Sequence, residues 1–191
     1  MRVVGGRWRG RPLNAPDGRG TRPTTDRMRE SIASMVLSAC GLDLSDASVL
    51  DAFAGSGGMG IELLSRGAAW CTFCEKDRRA AGVVRKNCQG VAGQERCWQV
   101  VVGDVTRMGS AGRLPGAPFS ILFLDPPYAL GANAVEALVQ SLRDSGQLTA
   151  DCLVAYEHAA DAPGLRLLGA SELKSRRHGG TCVDLIRLED E

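Results

Sequence analysis

Apolar and polar positions recur along this chain with two periods. Met28, Ile32, Met35, Val36 and Ala39 follow one another at helical spacing. Thr24, Thr25 and Asp26 precede them as candidate N-caps, and Gly41 follows as a stop. Beyond that helix, short apolar runs at 48–53, 70–74, 98–102, 120–124 and 152–156 predict strands. Between them, the patterns at 60–65, 78–89 and 135–145 predict helices. Strands and helices taking turns in this way predict an α/β fold, a mostly parallel sheet with helices on both faces. The rhythm changes after Pro163. Residues 165–173 and 181–188 read as two strands joined by a loop of Lys, Arg, His and Gly residues at 174–180. A terminal hairpin of that kind sets one antiparallel strand into an otherwise parallel sheet.

Ahead of the first helix, Pro12, Pro16, Gly18, Gly20 and Pro23 break any long regular element. The chain thus divides into an extension, residues 1–23, and one domain, residues 24–191. The extension is basic. Residues 1–29 hold eight arginines against Asp17 and Asp26, a charge of +6, whereas the whole chain carries +1, so the remainder carries −5. A basic arm on a mildly acidic body fits a polyanionic partner. The stretch RVVGGRWRGRPL has hairpin-like pieces, and its Trp8 stands among Arg7, Arg9 and Arg11. Indole stacking on a base with guanidinium groups on phosphates is the expected use of such a set.

Composition narrows the class further. At 191 residues, 44% apolar and 24% charged, the chain suits one domain with a real core. No apolar run approaches the ~18 residues that span a bilayer. The first residues lack the apolar stretch of a secretory leader. Seven scattered cysteines fit reduced thiols in a cytoplasmic protein. Cys71 and Cys74 have the spacing of half a zinc site. They lie in a strand pattern that points them to opposite faces, so no metal is expected.

The chemistry concentrates at strand ends. VLDAFAGSGGMG places Gly55, Gly57 and Gly60 in GxGxxG spacing between a predicted strand and a predicted helix. Glycines there let the backbone turn tightly and approach a nucleotide. Asp51 precedes the loop, where a carboxylate would repel a pyrophosphate and attract a cationic group such as an amino acid ammonium. Glu75 ends the second strand, placed to grip ribose hydroxyls, and Asp104 ends the third, placed to accept from an adenine amine. A cofactor with an ammonium, a carboxylate, a ribose and an adenine is S-adenosyl-L-methionine. Past the fourth strand comes Asp125-Pro126-Pro127-Tyr128. The prolines stiffen a loop that presents the Asp125 carboxylate, the Pro126 carbonyl and the Tyr128 ring together. Two acceptors and a stacking ring suit methylation of an exocyclic amine on a planar base. Neither His158 nor His178 is needed for that chemistry.

The DxFxGxG motif followed by DPPY resembles the class I amino-methyltransferases that use S-adenosylmethionine. Within that class, RVVGGRWRGRPL, RGTRPTTDRMRES, LDAFAGSGGMGIELLSRGA and DPPY together are similar to the RsmD family. Those bacterial enzymes methylate the N2 of a guanine in 16S ribosomal RNA. The likeness spans nearly the whole chain and is weakest at 105–118 and 157–178. It implies a Rossmann-like sheet of seven strands in the order 3-2-1-4-5-7-6, with the last antiparallel. It implies that Asp51, Phe53, Gly55 and Gly57 meet the cofactor, with Glu75 at the ribose and Asp104 at the adenine. Asp125, Pro126 and Tyr128 match the target-amine motif. Arg7, Trp8, Arg9 and Arg11 fall in the segment corresponding to the family's RNA-binding hairpin, and Arg22, Thr24 and Thr25 in a signature expected at the mouth of the site. The expected partner is 16S RNA, naked or in a small-subunit particle, with the enzyme a monomer. DNA adenine-N6 methylation shares the DPPY chemistry but usually needs an added recognition domain. Protein-glutamine methylation generally has Asn where Asp125 stands. A non-catalytic RNA-binding module would not need Asp51, Glu75 and Asp125 together. A nicotinamide oxidoreductase would need a substrate domain for which there is no room.

Overall fold

The computed structural model describes residues 1–15, 25–108 and 112–189. Its strands are β1 Ser48–Asp51, β2 Trp70–Glu75, β3 Trp98–Val102, β4 Phe119–Leu124, β5 Leu148–Ala159, β6 Ala170–His178 and β7 Thr181–Leu188. They form a seven-stranded sheet in the order β3-β2-β1-β4-β5-β7-β6. The pairs from β3 through β5 are parallel, and β7 runs antiparallel to both β5 and β6. The helices are α1 Asp26–Ala39, α2 Gly58–Ser65, α3 Arg78–Ala92, α4 Val105–Met108 and α5 Ala132–Asp144. The strand order reverses between β1 and β4. In open α/β sheets, ligands bind outside the carboxyl ends of the strands at such a switch point.

Side-chain alternation divides the core into two layers. On one face Val49, Phe73, Ile121, Phe123 and Ala155 pack with Ile32 and Val36 of α1, Ile61 of α2 and Val84 of α3. On the other, Leu50, Cys74, Leu122, Leu124 and Val154 pack with Val105 of α4 and Leu138 and Leu142 of α5. Cys71 and Cys74 fall in different layers, so their sulfur atoms share no site. Thr25 caps α1, its hydroxyl accepting from the Met28 amide at 3.3 Å. Removing such a cap costs about 1 kcal/mol.

Several expected boundaries move. The first strand stops at Asp51, because the chain turns into the glycine loop after Ala52, whose amide still reaches the Phe123 carbonyl at 3.0 Å. The fifth strand is twelve residues long, paired on both flanks by β4 and β7. The strand expected at 165–173 begins only at Ala170, and most of the expected loop at 174–180 is β6 itself. That edge strand is exposed along most of its length, so it carries no apolar alternation to read. The short α4 was not expected from the pattern.

Residues 1–14 do not stand apart from the domain. The Val3 amide donates to Arg11 and the Gly10 amide to Val3, closing a small hairpin, while Val3, Trp8 and Leu13 join the core layer of α1 to α3. Glu62 of α2, wholly buried, accepts from the amides of Val4 at 2.8 Å and Gly5 at 2.7 Å and pairs with Arg66 at 2.9 Å. Ser65 holds the same hairpin through the Trp8 amide and the Gly5 carbonyl. A buried charge kept by a salt bridge and two amides is an anchor, because removal of its partners would leave it uncompensated.

Candidate active site

Four carboxyl groups converge at the carboxyl edge of the sheet. Asp51 ends β1 and Glu75 ends β2. Asp125 immediately follows β4, and Glu157 lies in β5. Leu124 pairs with Tyr156, and one step further that register sets Asp125 beside Glu157. Alternation then turns both acids to the layer of Phe123 and Ala155, the layer that also receives Phe73 and the helices α1 to α3. Adjacent strands lie about 4.8 Å apart, so such neighbours feel one another's charge.

That proximity appears in their protonation. Burial pushes the Asp51 carboxyl up to about 7; the Gly60 amide at 3.0 Å works against this, and the charges of Asp125 and Glu75 add to it. Burial also raises Asp125. Glu157 is raised by burial and then by the charge of Asp125. The two carboxyl groups thus titrate as a pair, both raised above the usual carboxylate range. A cluster of this kind is stabilised by an incoming cation.

The glycine loop is built for close approach. Gly55 and Gly57 hold φ of 54° and 76°, in the left-handed region that favours glycine. A Cβ on Gly57 would lie 2.9 Å from the Val84 side chain, whereas one on Gly55 would meet nothing within 4 Å, leaving that backbone open. Glu75 braces the loop with one oxygen on the Gly55 amide and the other on the Asp77 amide, both at 2.8 Å. Each oxygen keeps a second lone pair for a hydroxyl. Asp104 accepts from the Thr106 amide and hydroxyl at the start of α4, which holds its carboxyl below the usual range. Phe53 is half-buried against the layer of α5.

The DPPY loop borders a cavity of about 440 Å3 lined by Pro126, Tyr128, Asn133, Tyr156, Glu157 and His158 among others. Tyr128 is 76% exposed, an unusual place for a large ring and a free platform for stacking. The wall behind is stiff. Tyr156 and His158 stack with ring centroids 4.9 Å apart. The His158 ring meets Asp184 at 2.9 Å and the Ala159 carbonyl at 2.9 Å, and Ser175 donates to Asp184 at 2.6 Å. His158 thus belongs to the wall, through a pairing with β7 that no local pattern revealed. Glu157, also not expected from the sequence, shares that wall.

The basic segment divides. Trp8 is 4% exposed and packed in the core, which corrects its expected role: a buried indole has no free face for a base. Arg7 lies over that ring, 4.5 Å from its centroid, and pairs with Glu95 at 2.9 Å. Arg11 donates to the Val91 carbonyl at the end of α3. Arg9 is exposed. Thr25 is the α1 cap, while Arg22 and Thr24 lie outside the described residues. Asn87 of α3 links this segment to the glycine loop, donating to the carbonyls of Asn14 at 2.9 Å and Ser56 at 2.8 Å. Among the described residues no helix is long and apolar enough to cross a membrane.

A family model described as Conserved hypothetical protein 95 matches residues 1–187. The chain is 39% identical over 158 residues to ribosomal RNA small subunit methyltransferase D of Escherichia coli K12, covering 82% of this chain and 74% of that one. Its likeness to the Haemophilus influenzae protein of the same name is 31% over 164 residues, covering 85% and 81%. Among solved structures, a candidate methyltransferase of Escherichia coli, yhhF, superposes with a TM-score of 0.81 at 32% identity, over 100% of this chain and 99% of that one.

Proposed function

This chain belongs to the RsmD family, described as Conserved hypothetical protein 95, and on that premise we propose that it methylates the exocyclic N2 of a guanine in 16S ribosomal RNA, with S-adenosylmethionine as donor. The observation that carries the reading is the convergence on one sheet edge of Asp51, Glu75 and Asp125, the last of these opening the DPPY loop. The residues fit the donor. Raised carboxyls suit a ligand bearing an ammonium and a sulfonium, and the open Gly55 backbone admits it. When bound, S-adenosylmethionine supplies an electrophilic methyl group. Asp51 offers charge to the ammonium, and Glu75 offers lone pairs to ribose hydroxyls. Asp104 has a carboxylate oxygen beyond its contacts with Thr106 for an adenine amine.

On the acceptor side, an exocyclic amine is a weak nucleophile because its lone pair is delocalised into the ring. Asp125 and the Pro126 carbonyl accept its two N–H bonds and favour a geometry in which the lone pair turns out of the ring plane. As the nitrogen gains positive charge, ionised Asp125 stabilises it, an interaction stronger in the transition state than before it. Asp125 can then take the proton the methylated amine must lose, since burial has raised its proton affinity. Tyr128 stacks on the base. Exposed arginines of the first segment, Arg9 foremost, meet phosphates.

The test uses small-subunit ribosomal fractions from cells lacking the gene, incubated with enzyme and methyl-labelled donor and then digested to nucleosides. N2-methylguanosine is the expected product. Label in N6-methyladenine of DNA instead, or in no nucleoside, would overturn the reading.

A further inference from the structure

Glu157 has no role in the mechanism above, yet its position is costly. It is 9% exposed, one of its oxygens has no hydrogen-bond partner, and it lines the cavity bordered by Pro126 and Tyr128. An unpartnered carboxyl oxygen in such a place destabilises the ligand-free protein. Its strand register sets it beside Asp125, the group that holds the target amine in the proposed function.

The chemistry of the base edge says what could meet it. On guanine, the group next to the N2 amine is N1–H, a donor. On adenine, the ring nitrogens flanking the N6 amine are acceptors. The amine has two ring neighbours on guanine, the donor N1–H and the acceptor N3, and with the amine held by Asp125 an acceptor on the neighbouring strand β5 suits the N1–H side. We propose that Glu157 accepts a hydrogen bond from N1–H of the target guanine and so sets the choice of guanine over bases that present an acceptor there. The assignment rests on the guanine-N2 reading. A carboxylate oxygen of Glu157 accepts from N1–H, and positive charge brought to this edge favours the ionised form of a carboxyl raised by burial and by the charge of Asp125. A site built around one donor rejects an analogue lacking it, because its buried acceptor is then left without a partner.

The experiment first maps the guanosine methylated by the wild-type enzyme. That position is then replaced with 2-aminopurine, by ligation into the same RNA. 2-Aminopurine keeps the 2-amine and turns N1 into an acceptor. The ratio of kcat/KM for guanine over 2-aminopurine is measured for wild type, Glu157→Gln and Glu157→Ala, with melting temperature and S-adenosylhomocysteine affinity as checks on the fold. Gln can offer either its carbonyl or its amide, so the ratio is expected to fall about tenfold to a hundredfold in Glu157→Gln. In Glu157→Ala the ratio is expected to fall as well, through loss of activity on guanine. A wild type that forms no N2-methylguanosine overturns both this assignment and the proposed function. A wild type that does form it, with a ratio unchanged in both variants, overturns this assignment alone, and equal losses on both bases would mark Glu157 as a merely structural group.

Discussion

Asp51 is a carboxyl group whose proton affinity folding raises strongly. Its carboxyl is raised to about 7, so it binds protons in the folded state that it would release in the unfolded one. Asp125 and Glu157 shift in the same direction. The stability these groups contribute is full below the unfolded carboxylate range near pH 4 and is lost as pH rises through their folded values. The ligand-free protein should therefore melt lower at pH 8 than at pH 6, and Asp51→Asn should flatten that slope in a calorimetric scan. Binding a cationic donor should reverse the trend. S-Adenosylmethionine affinity is expected to rise with pH between 6 and 8, with proton release seen by titration calorimetry in buffers of different ionisation enthalpy. Equal affinity at both pH values would count against Asp51 as a charge partner. The positions of Asp51, Glu75 and Asp125 were legible from strand ends in the sequence. Glu157 was not, because its meaning depends on β5 lying beside β4, which is a fact of strand order and not of local pattern.

Among the elements, the N-terminal hairpin and α2 act as a unit. Glu62 holds two hairpin amides and Arg66 from inside a mostly apolar helix. Glu62→Ala is expected to destabilise the protein by about 3–5 kcal/mol in denaturant unfolding. A loss under 1 kcal/mol would mean the hairpin is held by packing alone. A glutamate amid Ile61, Leu63 and Leu64 is a readable signal of a buried anchor. Trp8 shows the opposite failure. An indole among arginines looks the same whether it stacks on a base or packs in a core, and only the docking on Ser65 and α2 decides. Asn87 ties this unit to the glycine loop through Ser56. Asn87→Ala should weaken donor binding in titration calorimetry although Asn87 itself lies in α3, away from the acids.

For the whole molecule, the alternation of strand and helix was enough to expect the doubly covered sheet, and the change after Pro163 announced the antiparallel strand. The electrostatic asymmetry was equally plain, with +6 in residues 1–29 against −5 elsewhere. What composition could not reveal is that the fold engages several of those charges internally. Arg7 and Arg11 serve Glu95 and α3, so their loss combines stability with binding. Arg9→Ala is the cleaner probe. It should weaken RNA binding uniformly across sequences and reduce the slope of affinity against salt by about one phosphate contact. An unchanged slope would remove Arg9 from the interface.

In the proposed enzyme one acidic edge keeps the donor while Asp125 keeps the acceptor amine. The most direct measurement of that division is the separate effect of Asp125→Ala on turnover and on cofactor affinity. In that variant kcat for rRNA methylation is expected to fall about 100-fold or more, with S-adenosylhomocysteine affinity within a few-fold of wild type. Turnover at the wild-type rate would contradict it.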